Sequence, residues 1–439
     1  MKKNFFTGIL TGLFSALLLV VVLGAALIFS DFDINNSLTE TTEAEKDSAK
    51  IDSAAEVSAK ENSSKTGKQD DISVSSLEIE NYQKIVEKLE ALDNLIDLKY
   101  LEDVKDVSFD EGVYKGFIAS LGDPYSVYYT ADEYKALMES SSGVYHGIGA
   151  SVSQDAKTGI ITIVKPFVTG PAYQAGIKPG DIIAKVDGEN VTGMDLSEVV
   201  TKMKGKSGTK VKVSILREGE AEPIDFTITR KKIEVPTIEH KMLPDKIGYV
   251  TISEFDEITV TQFDAAIDDL EKQGMKALVV DVRNNPGGLL TSVVRILDRI
   301  LPPELLVYTE DKYNKKVEEF AKDKTKVKVP MAVLINGNSA SASEIFAGTL
   351  QDYKSATIIG TTSFGKGIVQ SVYPFNDGSA VKLTISKYYT PNGRNIHGTG
   401  ITPDVKVELD EKMQKEVVIP VDKDNQLQKA IGLLKKKIG

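Results

Sequence analysis

The chain contains no cysteine and only three histidines, His146, His240 and His397. The first absence excludes disulfides, thiol catalysis and thiolate metal sites, and the second argues against a zinc centre. Positive charge is also in deficit. Lys and Arg number 53 against 64 Asp and Glu, a formal net charge of −11. A nucleic-acid binder carries a basic face, so no nucleic-acid partner is expected. Neither a metal nor a cofactor is expected. The available chemistry comes from hydroxyls, carboxylates, amines and backbone dipoles.

A local absence marks the N-terminus: from Phe5 to Phe29 no residue is charged. A helix over that stretch spans a hydrocarbon core of ~30 Å. The run exceeds the roughly 7–15 apolar residues of a secretory signal core. Residues 1–30 are therefore predicted to be a cytoplasmic stub and a retained transmembrane helix, with cleavage after the small residues Gly24-Ala25-Ala26 as the alternative. Lys2 and Lys3 precede the run and acidic residues follow it, which places the bulk outside the cytoplasm, at the plasma membrane. Residues 31–76 lack aromatics after Phe32 and are rich in Ser, Thr, Glu and Lys; they are expected to form a flexible linker.

Beyond the linker, Ile79, Tyr82, Ile85, Val86, Leu89, Leu92, Leu95 and Ile96 recur at helical spacing. Ser108–Glu111 and Thr130–Glu133 have the form of capping boxes, with "LGDPYS" as a turn between helices. Residues 77–142 thus predict a small helical segment whose apolar stripe forms its core. Residues 143–232 read as short strands, "GIITIVKP", "DIIAKVDGEN" and "TKVKVSILREGE", interrupted by the amphipathic "DLSEVVTKMKG". Residues 233–405 alternate strand and helix patterns, which predicts a largely parallel sheet covered by helices. Sites in such sheets lie beyond the carboxyl ends of the strands, where "RNNPGG" and "NGNSAS" fall. Residues 406–439 close on an amphipathic helix through Leu427, Ala430, Ile431, Leu434 and Ile438.

In "YHGIGASVSQ" two glycines flank a hydrophobic residue directly before a strand. Such a loop can aim successive N–H groups at an anion while the strand edge accepts a peptide. Together with "PAYQAGIKPGDIIAKVDGENV" it resembles a PDZ domain. The resemblance implies a carboxylate-binding loop at Gly147, Ile148, Gly149 and Ala150, and a groove wall at Val199, Val200 and Met203. It also implies a peptide partner with a free C-terminus.

"NGNSASASEIFAGTL" raises the question of a nucleophile. Ser341-Ala342-Ser343-Glu344 is a capping-box pattern, yet a serine at a helix N-terminus also sits beside donors that favour an oxyanion. It needs a base. In "GTTSFGKGIVQSVYPF", Lys366 lies between glycines at the mouth of an apolar strand, where desolvation lowers an amine's pKa. Strand alternation would put Gln370 on the same face. A triad through His397, with Asp281 or Asp352, has no spacing to support it. His146 reads as a loop residue, and Asp281, Arg283 and Glu344 as structural pairs around the site.

"LGDPYSVYYT", the PDZ-like module, "VVDVRNNPGG", "NSASASEI", "FGKG…Q" and "YYTPNGRNIHGTGITPDV", in that order, resemble the carboxyl-terminal processing peptidases, or tail-specific proteases. The resemblance implies an α/β catalytic core of ClpP/crotonase-like ββα units with an inserted PDZ domain. It implies Ser341 as nucleophile, Lys366 as general base and Gln370 as its support. The oxyanion hole would draw on the backbone of Gly287, Gly288 and Ala342. Pro286 departs from the family pattern and offers no N–H. The expected activity is hydrolysis of protein substrates, and a homodimer through the terminal amphipathic helices is left open. A PDZ adaptor with an inert protease domain and a crotonase-type acyl-transfer enzyme are the alternatives.

Overall fold

The structure is a computed structural model that describes residues 76–104, 107–322, 327–414, 416 and 419–438. The expected transmembrane helix and nearly all of the linker lie outside them. Among the described residues no helix is long and apolar enough to cross a membrane. They fall into two units, one ending at Gly112 and the other beginning at Val113. The first contains the helix Ser76–Lys99. Its Tyr82, Ile85, Val86, Leu89, Leu92 and Leu95 are exposed, so the stripe expected to be core is not buried. Periodicity marks an apolar face but cannot say whether a second face is there to cover it.

In the second unit, the PDZ-like segment forms a sheet in the order Ala150–Gln154, Ile161–Pro166, Ile182–Val186, Lys210–Leu216, Ile224–Thr229. Its core gathers Ile163, Val186, Val199, Val213 and Ile215 under the helix Leu196–Met203. Val144–Gly147 pairs antiparallel with Lys231–Glu234, so the entry and exit of the module are stitched together as an insertion requires. Ala150–Gln154 lies at the sheet edge.

The block that follows the PDZ-like segment is built on six strands in the order Ile238–Leu243, Ile247–Ile252, Ala277–Asp281, Met331–Ile335, Ala356–Gly360, Val405–Lys406. The first pair is antiparallel and the rest are parallel. The continuous apolar runs of Ala277–Asp281 and Met331–Ile335 are buried throughout, as strands covered on both faces must be. Pleating sends Leu278 and Val280 toward the helices Glu257–Lys272, Leu290–Ile300 and Ala342–Asp352. Ala277 and Val279 face the helix Asn425–Ile438. Leu427, Ala430 and Leu434 of that helix are buried against this sheet. The C-terminal helix is therefore part of the core, which corrects its expected use as a dimer face. Arg283 fastens it, with Nη2 2.6 Å from both Asp281 and Asp424, while the Tyr249 hydroxyl donates to Asp281 at 2.7 Å.

A second sheet centres on Ala380–Tyr389, which pairs with Val127–Tyr129, Ile368–Pro374 and Leu305–Asp311. Through the first of these the "LGDPYS" turn reaches the site. The helix Ala131–Ser142 that follows carries the predicted capping box, with the Thr130 N–H on Glu133 at 2.9 Å.

Candidate active site

The strand Met331–Ile335 runs into the turn 336–341 and then the helix Ala342–Asp352. Two of the three serines are committed to structure. Ser339 Oγ donates to the Val282 carbonyl at 2.7 Å, and Ser343 Oγ to the Asn285 carbonyl at 2.9 Å. They join the serine turn to "RNNPGG". Ser341 stands at the cap position with φ 53° and ψ −113°, a region non-glycine residues avoid and which recurs at functional sites.

Glu344, fully buried, holds this turn against the "FGKG" loop. Its Oε2 accepts the N–H groups of both Ser341 and Lys366 at 2.8 Å, so the two nitrogens lie within twice that distance. Its Oε1 accepts from Ser363 Oγ at 2.5 Å and from the Gly365 N–H at 2.7 Å. Burial pushes this carboxyl up, and the four hydrogen bonds hold it back. On the opposite side the buried Tyr388 hydroxyl lies 3.1 Å from the Ser341 carbonyl and 2.6 Å from that of Lys366. One carboxylate and one phenol thus clasp the backbones of residues 341 and 366.

The glycines around Lys366 allow close packing on the "GRNIHGTG" loop: Gly398 N–H donates to Gly365 O at 2.9 Å, and a Cβ on Gly367 would lie 2.5 Å from the His397 nitrogen. Lys366 is 5 % exposed. Desolvation, reinforced by Lys382 and opposed by Asp123 and Glu344, lowers its amine to about 8. Its Nζ lies 4.6 Å from the centroid of the Tyr125 ring. The expected alternation with Gln370 does not hold as drawn, because Lys366 precedes the strand Ile368–Pro374; beside Gln370 the partner strand carries a bulge, with Ile385 as the extra residue between Thr384 and Ser386. Gln370 is nonetheless fully buried. Its Nε2 donates to Thr384 at 3.2 Å, and its Oε1 has no hydrogen-bond partner among the described residues.

Gly287 (φ 112°) packs against the serine turn; a Cβ there would lie 2.9 Å from Ser341 Cβ and 3.0 Å from the Ala342 nitrogen. Its own N–H donates to Asn285 Oδ1 at 2.8 Å. Gly288 bridges to Phe255. The rival triad does not assemble. His397 is exposed; Asp281 is bound to Arg283 and Tyr249, and Asp352 to Arg394 and Asn392. Three residues escaped the sequence reading of the site. Asp123 and Tyr125 sit in a turn some 240 positions from Lys366 by number, and Tyr388 has no pattern of its own beyond the quoted "YYTPNGRN".

The PDZ-like groove lies between the edge strand and the helix Leu196–Met203, around a cavity of about 290 Å³ lined by Ile148, Ala150, Val152, Val200 and Met203. Val199, fully buried in the module's core, is not among the residues that line this cavity, which corrects its expected place in the groove. Gly147 and Gly149 shape the loop. Gly149 takes φ 75° and approaches Gly170 so closely that a Cβ would lie 3.0 Å from its Cα. Lys204 pairs with Glu139 at 3.4 Å, and Glu254 and Asp256 of the block that follows the module also face the cavity. His146, expected in a loop, lies instead in the strand Val144–Gly147 opposite Lys232, and is exposed.

The family model for peptidase family S41 matches residues 246–407 and that for PDZ domains residues 137–216. The CtpB N-terminal domain model matches residues 22–133. Among curated relatives, carboxy-terminal processing protease CtpA of Bacillus subtilis is 41 % identical over 71 % of this chain and 66 % of its own length. CtpB of the same organism is 39 % identical over 74 % and 68 %. The carboxy-terminal-processing protease of Bartonella bacilliformis is 40 % identical over 71 % and 72 %. The chain therefore spans roughly two thirds of the length of these relatives. A solved S41-family structure from Bacteroides fragilis covers 78 % of this chain and 94 % of that one at 16 % identity and a TM-score of 0.51, a likeness of fold alone. The crotonase-type alternative is left without support. With the PDZ module, the serine turn and the lysine loop in one arrangement, the chain belongs to peptidase family S41, among the carboxy-terminal processing serine peptidases.

Proposed function

We propose that the protein is an endopeptidase that captures the C-terminal tail of a protein substrate along the strand Ala150–Gln154 and cleaves it with Ser341 and Lys366. The observation that carries this reading is the Glu344–Tyr388 clasp, which fastens the nucleophile's turn to the amine's loop. Lys366 takes the proton as Ser341 Oγ attacks the scissile carbonyl, then returns it to the leaving amine, and water hydrolyses the acyl-enzyme. The Ala342 N–H, at the first position of its helix, faces the developing oxyanion. Gly287 or Gly288 supplies the second donor, Gly287 once Asn285 releases it. The unpaired Gln370 Oε1 is suited to accept from the amine.

The Lys366–Tyr125 contact and the engaged Gly287 N–H fit a resting conformer, which a bound tail would shift toward an attacking one. The uncharged run 5–29 supports anchoring by one N-terminal helix with the catalytic region outside the cytoplasm. The exposed stripe of Ser76–Lys99 supports self-association through that helix rather than the C-terminal one. The helix-covered parallel sheet is compatible with a ClpP/crotonase-like core.

A base must be neutral to accept a proton. With the amine lowered to about 8, kcat/KM should climb as pH rises through that value and level off above it. Ser341→Ala and Lys366→Ala should each abolish hydrolysis of a peptide substrate while leaving the thermal transition in place. Turnover retained by the lysine variant would defeat the assignment. Capture of tails by a wild-type chain that cleaves none would instead favour the adaptor reading.

A further inference from the structure

A second lysine lies inside the same site. Lys382 is 6 % exposed, on the strand Ala380–Tyr389, opposite Val127 on one side and Val372 on the other. It shares a strand face with Thr384, two residues on, and Thr384 Oγ1 receives the Gln370 amide. Among the described residues the Lys382 ammonium has no hydrogen bond or ion pair; it lies 5.3 Å from the centroid of the Tyr129 ring. Tyr125 covers Lys366 in the same manner at 4.6 Å. Two tyrosines of one short segment therefore each cap a buried lysine. Asp123, which accepts from the Tyr125 N–H at 3.0 Å and from Ser126 Oγ at 2.6 Å, acts on both amines.

We propose that Lys382 is a positioning residue for the reaction: a resident cation whose repulsion makes a second positive charge on Lys366 unfavourable and so keeps the base amine ready to accept a proton. The inference rests on the Ser341–Lys366 reading. A buried lysine with no ion pair, its amine lowered by burial and supported by the charge of Asp123, serves packing poorly, since an aliphatic side chain would fill the same space without desolvating a charge. Placed beside another lysine it has a chemical use, the activation of an amine by a neighbouring cation. The charged and titratable groups facing the pair are Asp123 and Tyr125 from the turn, Tyr129 with Glu133 beyond it, and Glu344 from the helix Ala342–Asp352. Asp123 and Glu344 favour the charged form of Lys366, while Lys382, second only to burial, opposes it.

The test is the pH dependence of kcat/KM for the full chain on a peptide substrate, in the wild type, Lys382→Met, Lys382→Arg and Lys366→Ala. Loss of the like charge should move the acid limb of Lys382→Met upward by roughly half to one pH unit. The rate at pH 7 would then fall about three- to tenfold and recover on the alkaline plateau. Lys382→Arg should keep the wild-type limb. A limb unmoved in Lys382→Met, or moved equally in both variants, overturns the proposal even if the plateau rate drops. Hydrolysis surviving in Lys366→Ala would instead bring down the Ser-Lys reading beneath it. If Lys382→Met does not fold, lysine side-chain NMR of the Ser341→Ala chain, with both amines intact, decides the matter. Lys366 must lose its proton at lower pH than Lys382, and the reverse order rules the proposal out.

Discussion

Glu344 and Asp256 are both buried carboxylates at the start of a helix in the same domain, and they are held in opposite ways. Glu344 accepts four donors from two segments, which hold back the upward push of burial. Asp256 caps the helix Glu257–Lys272 beside Glu254, and burial together with the Glu254 and Glu257 charges pushes it up. For Glu254 burial is the leading cause. A buried anion that collects donors is a fastener; a buried pair that shares repulsion is a strain. The fastener stands under the turn of Ser341, and the strain stands beside the cavity of the PDZ module.

The sharpest way to break the contrast is Glu344→Ala. It strands donors from residues 341, 363, 365 and 366, and should cost at least about 3 kcal/mol in urea unfolding. Where the variant still folds, misplacement of the amine should lower kcat by about 10²-fold or more. Next comes Asp424→Ala, which leaves Arg283 short of a partner in a buried network. It should destabilise by about 3 kcal/mol through loss of the C-terminal helix contact, with the site chemistry untouched in the folded fraction. Tyr388→Phe removes one bifurcated hydrogen bond and should cost about 1 kcal/mol, with kcat down roughly tenfold and KM little changed. The smallest effect has the opposite sign. A carboxyl whose folded pKa is raised contributes stability at low pH and loses it as pH rises through the folded value. Asp256→Asn, which stays neutral, should therefore gain on the wild type progressively as pH rises from about 4 to about 8, by at least about 1 kcal/mol at the upper end, and match it below about pH 4, in thermal melts at the two ends.

Much of this architecture was legible because it is local. The apolar runs 277–281 and 331–335 have the length and composition of doubly covered strands, and the alternating strand and helix patterns fix their parallel order. The S-x-x-E pattern located the serine turn, and it also concealed what Glu344 does. A capping box needs only the Ser341 N–H, whereas the same carboxylate also takes Ser363, Gly365 and Lys366. The bulge beside Gln370 was beyond reach, since register depends on the partner strand rather than on the run itself. Asp123, Tyr125 and Lys382 meet only through the pairing of Val127–Tyr129 with Ala380–Tyr389, a contact no local pattern announces. The direction of the apolar stripe on Ser76–Lys99 was plain, but its exposure was not.

That three-residue strand, Val127–Tyr129, has a practical consequence for anyone trimming the molecule. A fragment beginning at Thr130 would retain Ser341, Lys366 and the whole PDZ module, and by motif inspection would look complete. It would have lost the tyrosine roofs over both amines and the aspartate they share, and would leave part of a ten-residue strand with an open edge. Such a fragment should be sluggish and prone to clumping, for reasons that lie outside its PDZ and peptidase segments.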